Sequence, residues 1–374
     1  MTDPNFAFTL EATSGMARLG RVETSRGGFD TPMFMPVGTL GTVKSLTPQD
    51  LEDVGAEIIL GNTYHLYLRP GMGVMEQFGG LHRFMDWSGP ILTDSGGFQF
   101  YSLSDLAKFD DDGVDFRSHI DGSKHRFTPE RVVEIQATIG STIMMQLDQC
   151  PALPATPKTL EQAVKRSTDW ALRSLAVADR APGALFAIGQ GGTDVSLRIA
   201  HIEELSAHAF DGIALGGLAV GEAPEDMYDT LEAVTPSMPA DRPRYLMGVG
   251  RPEDLVEAIG RGIDMFDCVM PTRNARKGSV FTRTGKLNLR NAGHRHDEAP
   301  LDPSCGCLAC RRFSRAYLHH LFRNKELLGP RLATLHNLTY YLDLVRDARA
   351  AIRRGEYDTF RRSCHAGWTG GSHG

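Results

Sequence analysis

The sequence lacks the features that would send a chain into or across a membrane. No apolar run reaches the roughly 18 residues that a membrane-spanning helix requires. The chain opens on Met1-Thr-Asp-Pro4, without the basic and apolar stretches of a secretory signal. We therefore expect a cytoplasmic protein that makes no contact with a membrane.

Cysteine is scarce, and its distribution argues against a secreted disulfide framework. Of the six cysteines, three lie close together at Cys305, Cys307 and Cys310. Thiolates at this spacing can hold one tetrahedral metal ion, and Zn²⁺ is favoured over an iron–sulfur cluster because no fourth cysteine lies nearby. A fourth ligand from histidine would close the site and make the zinc structural, with one ion per subunit. The sequence leaves that ligand open among His294, His296, His319, His320 and His336.

Acidic residues are absent from one long stretch. The net charge of -6 gives no overall attraction to nucleic acid, so any such binding must come from a local patch. Residues 268–296 contain no Asp or Glu, and Asp267 immediately precedes them. The basic residues of this stretch are Arg273, Arg276, Lys277, Arg283, Lys286, Arg290 and Arg295. One carboxylate facing an acid-free basic run suits chemistry on a polyanion.

Short apolar runs alternate with helix-like segments, which predicts an α/β fold with a buried parallel sheet. The runs are 32–37, 57–60, 90–93, 142–147, 184–189, 212–216, 244–248 and 263–266. Eight such runs favour a (β/α)8 TIM barrel, and a doubly wound open sheet is the alternative. Polar or glycine residues follow six of the runs, namely Asp94, Asp148, Gln190, Gly216-Gly217, Gly248-Val249-Gly250 and Asp267. In a barrel these positions would converge on one mouth.

Other patterns predict how the barrel is elaborated. Thr47-Pro48 and Thr128-Pro129 are typical helix starts. Asp121-Gly122 indicates a hairpin within 114–127, and Gly285 indicates a second one within 279–290. We expect residues 1–290 to form the barrel, with an N-terminal antiparallel cap and the catalytic mouth. The remaining expected units are an inserted zinc-binding subdomain (291–340), a closing C-terminal helix (341–362) and a flexible tail (363–374).

Two groups of residues suggest recognition of a planar heterocycle. Asp94 is followed by Ser95, Gly96, Gly97 and Phe98, where the glycines permit close approach of a flat ligand and the aromatic ring offers a stacking face. Asp148 and Gln190 are a carboxylate and an amide at neighbouring strand ends. Together they complement a ring with N–H donors and a carbonyl, such as the Watson–Crick edge of guanine.

These motifs, taken together, resemble the bacterial tRNA-guanine transglycosylases of the queuine tRNA-ribosyltransferase family. The resemblance covers nearly the whole chain. It rests on Thr31-Pro-Met-Phe-Met-Pro-Val-Gly38, Gly61-Asn-Thr-Tyr-His-Leu66, Leu92-Thr-Asp-Ser-Gly-Gly-Phe98, Leu215-Gly-Gly-Leu-Ala-Val-Gly-Glu222, Met265-Phe-Asp-Cys268 and the Cys305-x-Cys-x2-Cys310 cluster.

The resemblance implies exchange of guanine at wobble position 34 of tRNAs with GUN anticodons for 7-aminomethyl-7-deazaguanine (preQ1), in queuosine biosynthesis. It implies a covalent ribosyl-aspartate intermediate, with Asp267 as nucleophile and Asp94 as general acid/base. The implied base-binding residues are Ser95, Gly96, Gly97, Phe98, Asp148, Gln190, Gly217, Leu218 and Met247. The implied RNA-binding residues are Gly248, Val249, Gly250, Arg251, Pro252, Glu253, Asp254, Thr272, Arg273, Asn274, Ala275, Arg276 and Lys277.

The resemblance also implies Cys305, Cys307, Cys310 and His336 as zinc ligands. It further implies a homodimer formed through the zinc subdomain, with an interface cluster of Trp87, Phe313, Tyr317 and His320. The sequence departs from the family pattern at Gln149, where a glutamate is usual, and at Ile188-Gly189. Val220 resembles the bacterial form that takes preQ1.

Two other classes of protein remain as alternatives. One is a zinc-dependent hydrolase or deaminase, although the H-x-E partner of zinc deaminases is absent. The other is a non-catalytic tRNA-binding scaffold, against which the presence of both Asp94 and Asp267 argues.

Overall fold

The computed structural model describes residues 6–102 and 107–370. Its strands are β1 (Ala7–Ser14), β2 (Ala17–Thr24), β3 (Gly27–Thr31), β4 (Met33–Met35), β5 (Ile59–Gly61), β6 (Ile91–Thr93), β7 (Ala107–Phe109), β8 (Val114–Arg117), β9 (Lys124–Phe127), β10 (Ile143–Met145), β11 (Ala184–Gly189), β12 (Gly212–Leu215), β13 (Arg244–Leu246), β14 (Met265–Asp267), β15 (Ser279–Thr282) and β16 (Gly285–Asn288). Its helices are α1 (Pro48–Asp53), α2 (Thr63–Leu66), α3 (Met72–Phe78), α4 (Leu81–Met85), α5 (Gly97–Ser102), α6 (Pro129–Ile139), α7 (Pro157–Val177), α8 (Val195–Ser206), α9 (Pro224–Val234), α10 (Pro252–Gly260), α11 (Met270–Arg276), α12 (Leu308–Arg312), α13 (Arg315–Arg323), α14 (Leu328–Arg353) and α15 (Tyr357–Gly370).

The central sheet is a closed parallel barrel. Its strand order is β4-β14-β13-β12-β11-β10-β6-β5, so the strands follow one another around the sheet in chain order. A parallel bridge between Val37 and Leu60 joins β4 to β5, and the Leu60 N–H donates to the Pro36 carbonyl oxygen at 3.0 Å. An open doubly wound sheet would reverse direction at a switch point, so the barrel prediction is confirmed.

The eight barrel strands coincide with the eight apolar runs in the sequence. Most are shorter than predicted, and only β11 keeps its full predicted length, with all its residues buried. Burial on both faces explains why the runs are apolar without alternation. The runs extend past the strands because residues beyond the strand ends are also buried, and several of them, such as Thr142 and Gln146, still donate to a carbonyl oxygen of a neighbouring strand.

Helix starts are fixed by local chemistry. At α6 the Thr128 hydroxyl oxygen accepts a hydrogen bond from the Arg131 N–H at 3.2 Å, and Pro129 occupies the first helical position. Thr47 and Asp50 cap α1 reciprocally. Both predicted starts are therefore confirmed, because a side-chain oxygen satisfies an N–H that the first turn leaves free. Within the described residues, no helix is long and apolar enough to cross a bilayer.

An antiparallel sheet of β1, β2 and β3 lies against the barrel end opposite the catalytic mouth. Arg18 in β2 forms a buried ion pair with Asp264 at 3.2 Å, and Asp264 immediately precedes β14. Arg18 also donates to backbone carbonyl oxygens of Ala240 and Arg242 at 3.1 and 3.0 Å. These contacts lie at the amino ends of the barrel strands. In this fold class that end contributes to the stability of the protein, whereas the active site lies at the other end.

Both predicted hairpins are present. In the first, β8 pairs with β9 from Val114–Phe127 to Arg117–Lys124, and a third strand, β7, adds to its edge. In the second, β15 pairs with β16, and Gly285 has the positive φ of 111° that the turn requires. The sequence did not reveal β7, because it is three residues long and only half-buried.

The C-terminal region differs from the predicted division. Helix α14 runs without a break across the predicted boundary at 340/341. Residues 363–370 belong to α15, so they do not form a flexible tail; residues 371–374 lie outside the described residues. Glycine, serine and histidine suggested disorder, but Trp368 Nε1 donates to the Tyr340 hydroxyl at 2.8 Å and His365 contacts Glu257 at 2.8 Å. These tertiary contacts hold the helix in place.

Candidate active site

One cavity of about 490 Å³ opens at the carboxyl ends of the barrel strands. Its volume falls in the range of small-molecule binding sites. Residues at the carboxyl ends of all eight strands line it: Val37, Asn62, Asp94, Asp148, Gln190, Gly217, Met247 and Asp267 are examples. The convergence predicted from strand-end positions is therefore observed, although these residues are separated by up to about 230 positions in the chain.

Asp94 follows β6 and is held by donors from two other segments. Asn62 Nδ2 and Gln99 Nε2 donate to its Oδ2 at 2.5 and 3.0 Å, and the Thr63 N–H donates to Oδ1 at 2.8 Å. Burial, with a smaller contribution from the nearby charge of Asp267, raises the pKa of Asp94 to about 6 against the opposing effect of these hydrogen bonds. The group can therefore gain and lose a proton near neutral pH.

Asp267 closes β14 and lines the same cavity. Its Oδ1 accepts from the Tyr245 hydroxyl at 2.6 Å and from the Gly248 N–H at 2.8 Å. Burial raises the pKa of Asp267, and the two hydrogen bonds counteract that rise by stabilising the carboxylate. Because both donors contact Oδ1, Oδ2 accepts no hydrogen bond from the described residues and can act as a nucleophile.

Asp148 and Gln190 lie side by side deeper in the cavity. Gln190 Nε2 donates to Asp148 Oδ2 at 2.6 Å, and the Ser95 hydroxyl donates to Oδ1 at 3.1 Å. Burial raises the pKa of Asp148. Gln190 Oε1 is buried and has no hydrogen-bond donor among the described residues. An acceptor of this kind is costly unless a ligand supplies the missing donor.

Two glycines are required by the close packing of this wall. A Cβ on Gly97 would lie 2.3 Å from Asp148 Oδ1, and a Cβ on Gly217 would lie 2.4 Å from Gln190 Oε1. Gly217 also has a positive φ of 66°. Gly96, which the sequence grouped with Gly97, does not line the cavity; a Cβ there would face the ring of Phe127 at 3.4 Å.

Phe98 and Met247 present apolar surface at the opening of the cavity. Phe98 is 52% exposed, which is unusual for a phenylalanine, and Met247 is half-buried. Leu218 completes the apolar lining from the β12 side. An exposed aromatic ring beside buried acceptors suits a flat, partly polar ligand.

Several residues of this site were missed by sequence reasoning. Asn62 and Gln99 orient Asp94, and Tyr245 orients Asp267. Glu222 accepts hydrogen bonds from the backbone of the cavity-lining Ala219 and Val220. Asn62 directly follows β5, so the rule that identified Asp94, a polar residue directly after a predicted strand, could also have identified Asn62. Tyr245 lies inside an apolar strand and gave no signal.

Gln149, which stands where the family usually has a glutamate, does not line the cavity. Gln149 Oε1 accepts from Arg166 Nη1 at 2.6 Å, whereas its neighbours Asp148 and Cys150 line the cavity. Arg166 also pairs with Asp111 at 2.8 Å, so a carboxylate partner remains available to it. The neutral side chain at 149 is therefore accommodated outside the base-facing wall.

The two segments predicted to contact RNA border the cavity. In the first segment, residues 248–254, Arg251 is exposed, but it forms an ion pair with the buried Asp254 at 2.7 Å. In the second segment, residues 272–277, Arg273 lines the cavity and Lys277 is exposed. The remaining exposed or half-buried members of the two segments are Gly248, Glu253, Asn274 and Arg276, and the buried members are Val249, Gly250, Pro252, Thr272 and Ala275.

A group of metal-ligand type lies apart from the cavity. The donor atoms of Cys305, Cys307, Cys310 and His336 all lie within 4.8 Å of one another. His336 Nε2 contacts the Phe281 carbonyl oxygen at 2.7 Å, so Nδ1 faces the thiols. This arrangement fits one tetrahedral ion. None of the four residues lines the cavity at the barrel mouth, so a metal held by the cluster would lie outside that cavity.

The positions of the five histidines show which of them could be the fourth metal ligand. His319 contacts the Leu289 carbonyl oxygen at 2.8 Å, and His294 faces Asp297 at 3.5 Å. His296 and His320 are exposed. Among the described residues, only His336 of these five approaches the three thiols.

The family model described as Queuine tRNA-ribosyltransferase matches residues 13–369. The chain is 55% identical over 364 residues to a queuine tRNA-ribosyltransferase of Gluconacetobacter diazotrophicus, covering 97% of this chain and 94% of the relative. It is 54% identical over 368 residues to one from Nitratidesulfovibrio vulgaris, covering 98% of both, and 53% identical over 359 residues to one from Desulforapulum autotrophicum, covering 96% and 97%.

These matches span the barrel, the carboxylates at its mouth and the cysteine–histidine cluster alike. The chain therefore belongs to the queuine tRNA-ribosyltransferase family and is a pentosyltransferase.

Proposed function

We propose that the protein exchanges guanine at wobble position 34 of tRNAs with GUN anticodons for preQ1, in queuosine biosynthesis. The observation that carries the proposal is that Asp94 and Asp267 line one cavity together with Asp148 and Gln190. Two carboxylates beside acceptors for a purine edge are what a base exchange on a nucleoside requires.

In the first half of the reaction, a carboxylate oxygen of Asp267 attacks C1′ of the ribose. The bond between C1′ and guanine N9 breaks, and its electron pair stays with guanine. Protonated Asp94 donates its proton to the departing base, so guanine leaves neutral. The hydrogen bonds from Tyr245 and Gly248 orient Asp267 for this attack.

In the second half, N9 of preQ1 attacks C1′ and displaces the Asp267 carboxylate. The proton of that nitrogen passes to Asp94, which returns to its starting state. Two displacements at one carbon retain its configuration. Asn62, Thr63 and Gln99 hold Asp94 in one orientation through both proton transfers.

Base selection follows from the buried acceptors. The Asp148 carboxylate can accept from the ring N–H and amino groups shared by guanine and preQ1, and the free Gln190 Oε1 offers a further acceptor. Phe98 and Met247 would cover the two ring faces. A pyrimidine or adenine would leave these acceptors unpaired, which costs about 1–3 kcal/mol for each buried group.

RNA binding would use the segments beside the cavity. The wobble base must leave the stack of the anticodon loop, and flipping it from a single strand costs less than flipping it from a duplex. Arg273 at the cavity wall and Lys277 on the surface would hold the flanking phosphates. The ion pair between Arg251 and Asp254 supports a role of Asp254 in fixing the loop 248–252, with Arg251 at the surface.

The metal cluster would hold one structural Zn²⁺ per subunit. Three thiolates and a neutral imidazole satisfy a tetrahedral zinc ion and leave no open position for a reactive water. Cys307 caps the start of α12, Cys310 lies within it, and His336 belongs to α14. The bound ion would therefore tie the short helix to the long one.

A homodimer formed through the zinc subdomain is part of the same proposal. Phe313 and Tyr317 stack at 5.2 Å, and Tyr317 is 39% exposed, so the pair offers apolar surface for a second copy. Trp87, expected in that cluster, is only 4% exposed and donates to the Pro90 carbonyl oxygen, so it offers a second copy little surface. Phe84 is the exposed aromatic residue nearest to it in the chain. Since tRNA is the substrate, we place the reaction in the cytoplasm.

The decisive experiment is exchange of radiolabelled guanine into tRNA, followed by its displacement by preQ1. We expect label to enter only tRNAs with a GUN anticodon and to be released by preQ1. Uptake by the wild-type protein with none by Asp267→Asn would support the chemistry. Tight tRNA binding by the wild-type protein without any uptake would instead favour the non-catalytic scaffold.

A further inference from the structure

A fully buried arginine lies directly behind the wall of the catalytic cavity. Arg198 belongs to α8 and is 0% exposed. Its guanidinium group reaches the backbone of two loops, one that follows β11 and one that follows β12. Arg198 does not line the cavity itself, whereas Gln190, Gly216 and Gly217 from those loops do. The arginine therefore contacts the base-binding wall from behind, without facing the base.

Backbone carbonyl oxygens satisfy the guanidinium group of Arg198. Its Nε donates to the Gly192 oxygen at 2.5 Å, and its Nη1 donates to the Gly189 oxygen at 3.3 Å. Its Nη2 donates to the Gly216 oxygen at 2.8 Å and lies 3.4 Å from the Gly217 oxygen. No carboxylate of the described residues forms an ion pair with it. Burial of a charge without a counter-ion is costly. The planar fork of arginine, however, can hold oxygens of two loops at once.

The contact with the Gly216 carbonyl oxygen fixes the direction of the next backbone N–H. In a trans peptide unit the C=O and N–H groups point in opposite directions. Because the Gly216 oxygen faces Arg198, the Gly217 N–H points away from Arg198. The Gly217 backbone forms a hydrogen bond with the Cys150 thiol, and both residues line the cavity. Arg198 therefore turns a hydrogen-bond donor towards the ligand.

A second residue of α8 holds the neighbouring acceptor. The Gln190 N–H donates to His201 Nδ1 at 3.0 Å, so this nitrogen carries no proton. His201 is 1% exposed, and burial lowers its pKa to about 4, so its ring is neutral at neutral pH. Arg198 and His201 are three positions apart on one helix and therefore lie on the same face. This face of α8 supports an acceptor side chain at Gln190 and a donor N–H at Gly217.

We propose that Arg198 is a positioning residue that makes the cavity specific for a base with a carbonyl group beside its ring N–H. It holds the Gly217 N–H where that carbonyl oxygen must lie, while His201 holds Gln190 beside it. The inference rests on the proposed function and deepens it, because the acceptors Asp148 and Gln190 read only the N–H and amino groups of the base. Guanine and preQ1 carry this carbonyl group, whereas adenine carries an amino group there.

The test compares buried arginines at the two ends of the barrel in the full-length protein. Arg198→Lys keeps the charge but cannot reach carbonyl oxygens of both loops. Arg244→Lys is the matched control, because Arg244 is also buried and begins β13 at the opposite end. Its Nη2 and Nε donate to the carbonyl oxygens of Met238 and Pro239 at 2.8 and 3.3 Å. Melting temperature and metal content establish that both variants are folded.

Base affinity is measured by titration calorimetry without tRNA, for guanine and for 6-thioguanine. 6-Thioguanine keeps the ring N–H and the amino group, but its sulfur is a weaker acceptor than the carbonyl oxygen. We expect the Kd of guanine to rise about 3- to 10-fold in Arg198→Lys, as for the loss of one hydrogen bond. The Kd of 6-thioguanine should change less than about twofold. The preference of the wild-type protein for guanine should therefore disappear in this variant and persist in Arg244→Lys.

Gly191→Ala disturbs the same contact without removing a polar group, and it decides the question if Arg198→Lys does not fold. A Cβ at Gly191 would lie 2.8 Å from Arg198 Cγ, at a φ of 139°. Gly27→Ala is its control, because Gly27 also has a positive φ, of 101°, and a Cβ there meets no atom within 4 Å. We expect the preference for guanine to fall in Gly191→Ala and to stay at the wild-type value in Gly27→Ala.

Two results would overturn the proposal. One is an unchanged preference for guanine in the folded Arg198 variant, including equal weakening of both bases, which would assign Arg198 to stability alone. The other is an equal loss of preference in Arg244→Lys. Failure of the proposed function would look different, because the wild-type protein would then bind guanine without incorporating it into tRNA. The affinities of the two bases would still report on Arg198.

Discussion

The catalytic cavity and the metal cluster both gather reactive side chains, but they hold them by different means. In the cavity, each carboxylate is oriented by hydrogen bonds from the protein: Asp94 accepts three and Asp267 accepts two. In the cluster, the thiols of Cys307 and Cys310 approach His336 Nδ1 at 3.6 and 3.3 Å. Such a group is satisfied by an ion bound between its donors.

This difference indicates that the cluster, and not the cavity, needs a bound ion to hold its side chains in place. The cavity is preorganised by its own chain, which is the condition for electrostatic catalysis. The cluster could hold a metal ion, and in our proposal that ion completes its structure. Variants of the cavity should therefore change the chemistry while leaving metal content intact, and variants of the cluster should do the reverse.

The largest expected effect is that of Asp267→Asn. Without the nucleophile, guanine exchange should fall by at least about 10⁴-fold, since no covalent ribosyl-enzyme can form. Incubation with tRNA followed by a denaturing gel should show an adduct for the wild-type protein and none for the variant. Metal content and tRNA binding serve as controls. An adduct trapped in the variant would remove Asp267 from its role.

Asp94→Asn should have the next largest effect. Loss of the general acid/base should reduce exchange by about 10²–10⁴-fold. Bound metal, measured by atomic absorption, should equal that of the wild-type protein. Exchange at the wild-type rate would contradict the assignment of Asp94.

The pH profile of the wild-type protein sharpens the same assignment. Asp94 must be protonated to donate, so activity is present below its pKa of about 6 and declines about tenfold per pH unit above it. Asp267 must be ionised to attack, and burial raises its pKa, so kcat/KM should also fall at acid pH. We expect a bell-shaped profile whose alkaline limb is lost in Asp94→Asn. An alkaline limb that persists in that variant would belong to another group.

Gly97→Ala should have a smaller effect, confined to base binding. The added Cβ would lie 2.3 Å from Asp148 Oδ1 and displace that carboxylate. Overpacking of this kind costs about 1–3 kcal/mol, so the KM for preQ1 should rise about 5- to 150-fold. Gly73→Ala is the matched control, because a Cβ there meets no atom within 4 Å. Equal KM values for the two variants would show that the cavity wall formed by Gly97 and Asp148 does not contact the base.

Cys307→Ala should have the smallest effect on chemistry and the largest on stability. We expect loss of bound metal and a melting temperature lower by about 2–4 °C for each kcal/mol of lost stability. The kcat at saturating tRNA should change less than in any cavity variant. A metal-free variant that melts at the wild-type temperature would contradict a structural role for the ion.

Much of the fold could be predicted because the signals are local. Continuous apolar runs revealed all eight barrel strands, and side-chain caps revealed the starts of α1 and α6. The short β7 and the helical end of α15 were missed. The three-residue β7 is too short to leave a pattern in the sequence, and the end of α15 is held by contacts with Tyr340 and Glu257, which are distant in sequence.

The site was predicted in part for a similar reason. Asp94, Asp148, Gln190 and Asp267 were found because each follows a strand, and barrel topology requires strand ends to meet. Their orienting partners were less visible. Tyr245 lies within an apolar run, and its hydroxyl acquires a role only because β13 and β14 are neighbours in the sheet.

The sequence alone determined the barrel, the strand-end carboxylates and the three clustered cysteines, because each depends on residue type and spacing along the chain. Spacing along the chain left five histidines open and the family resemblance implied His336; only the tertiary structure brought His336 to the thiols, placed Gln149 outside the cavity and buried Trp87. It also brought Arg198 to the loops that follow β11 and β12. These properties depend on distances between segments remote in sequence, which are fixed when the chain packs.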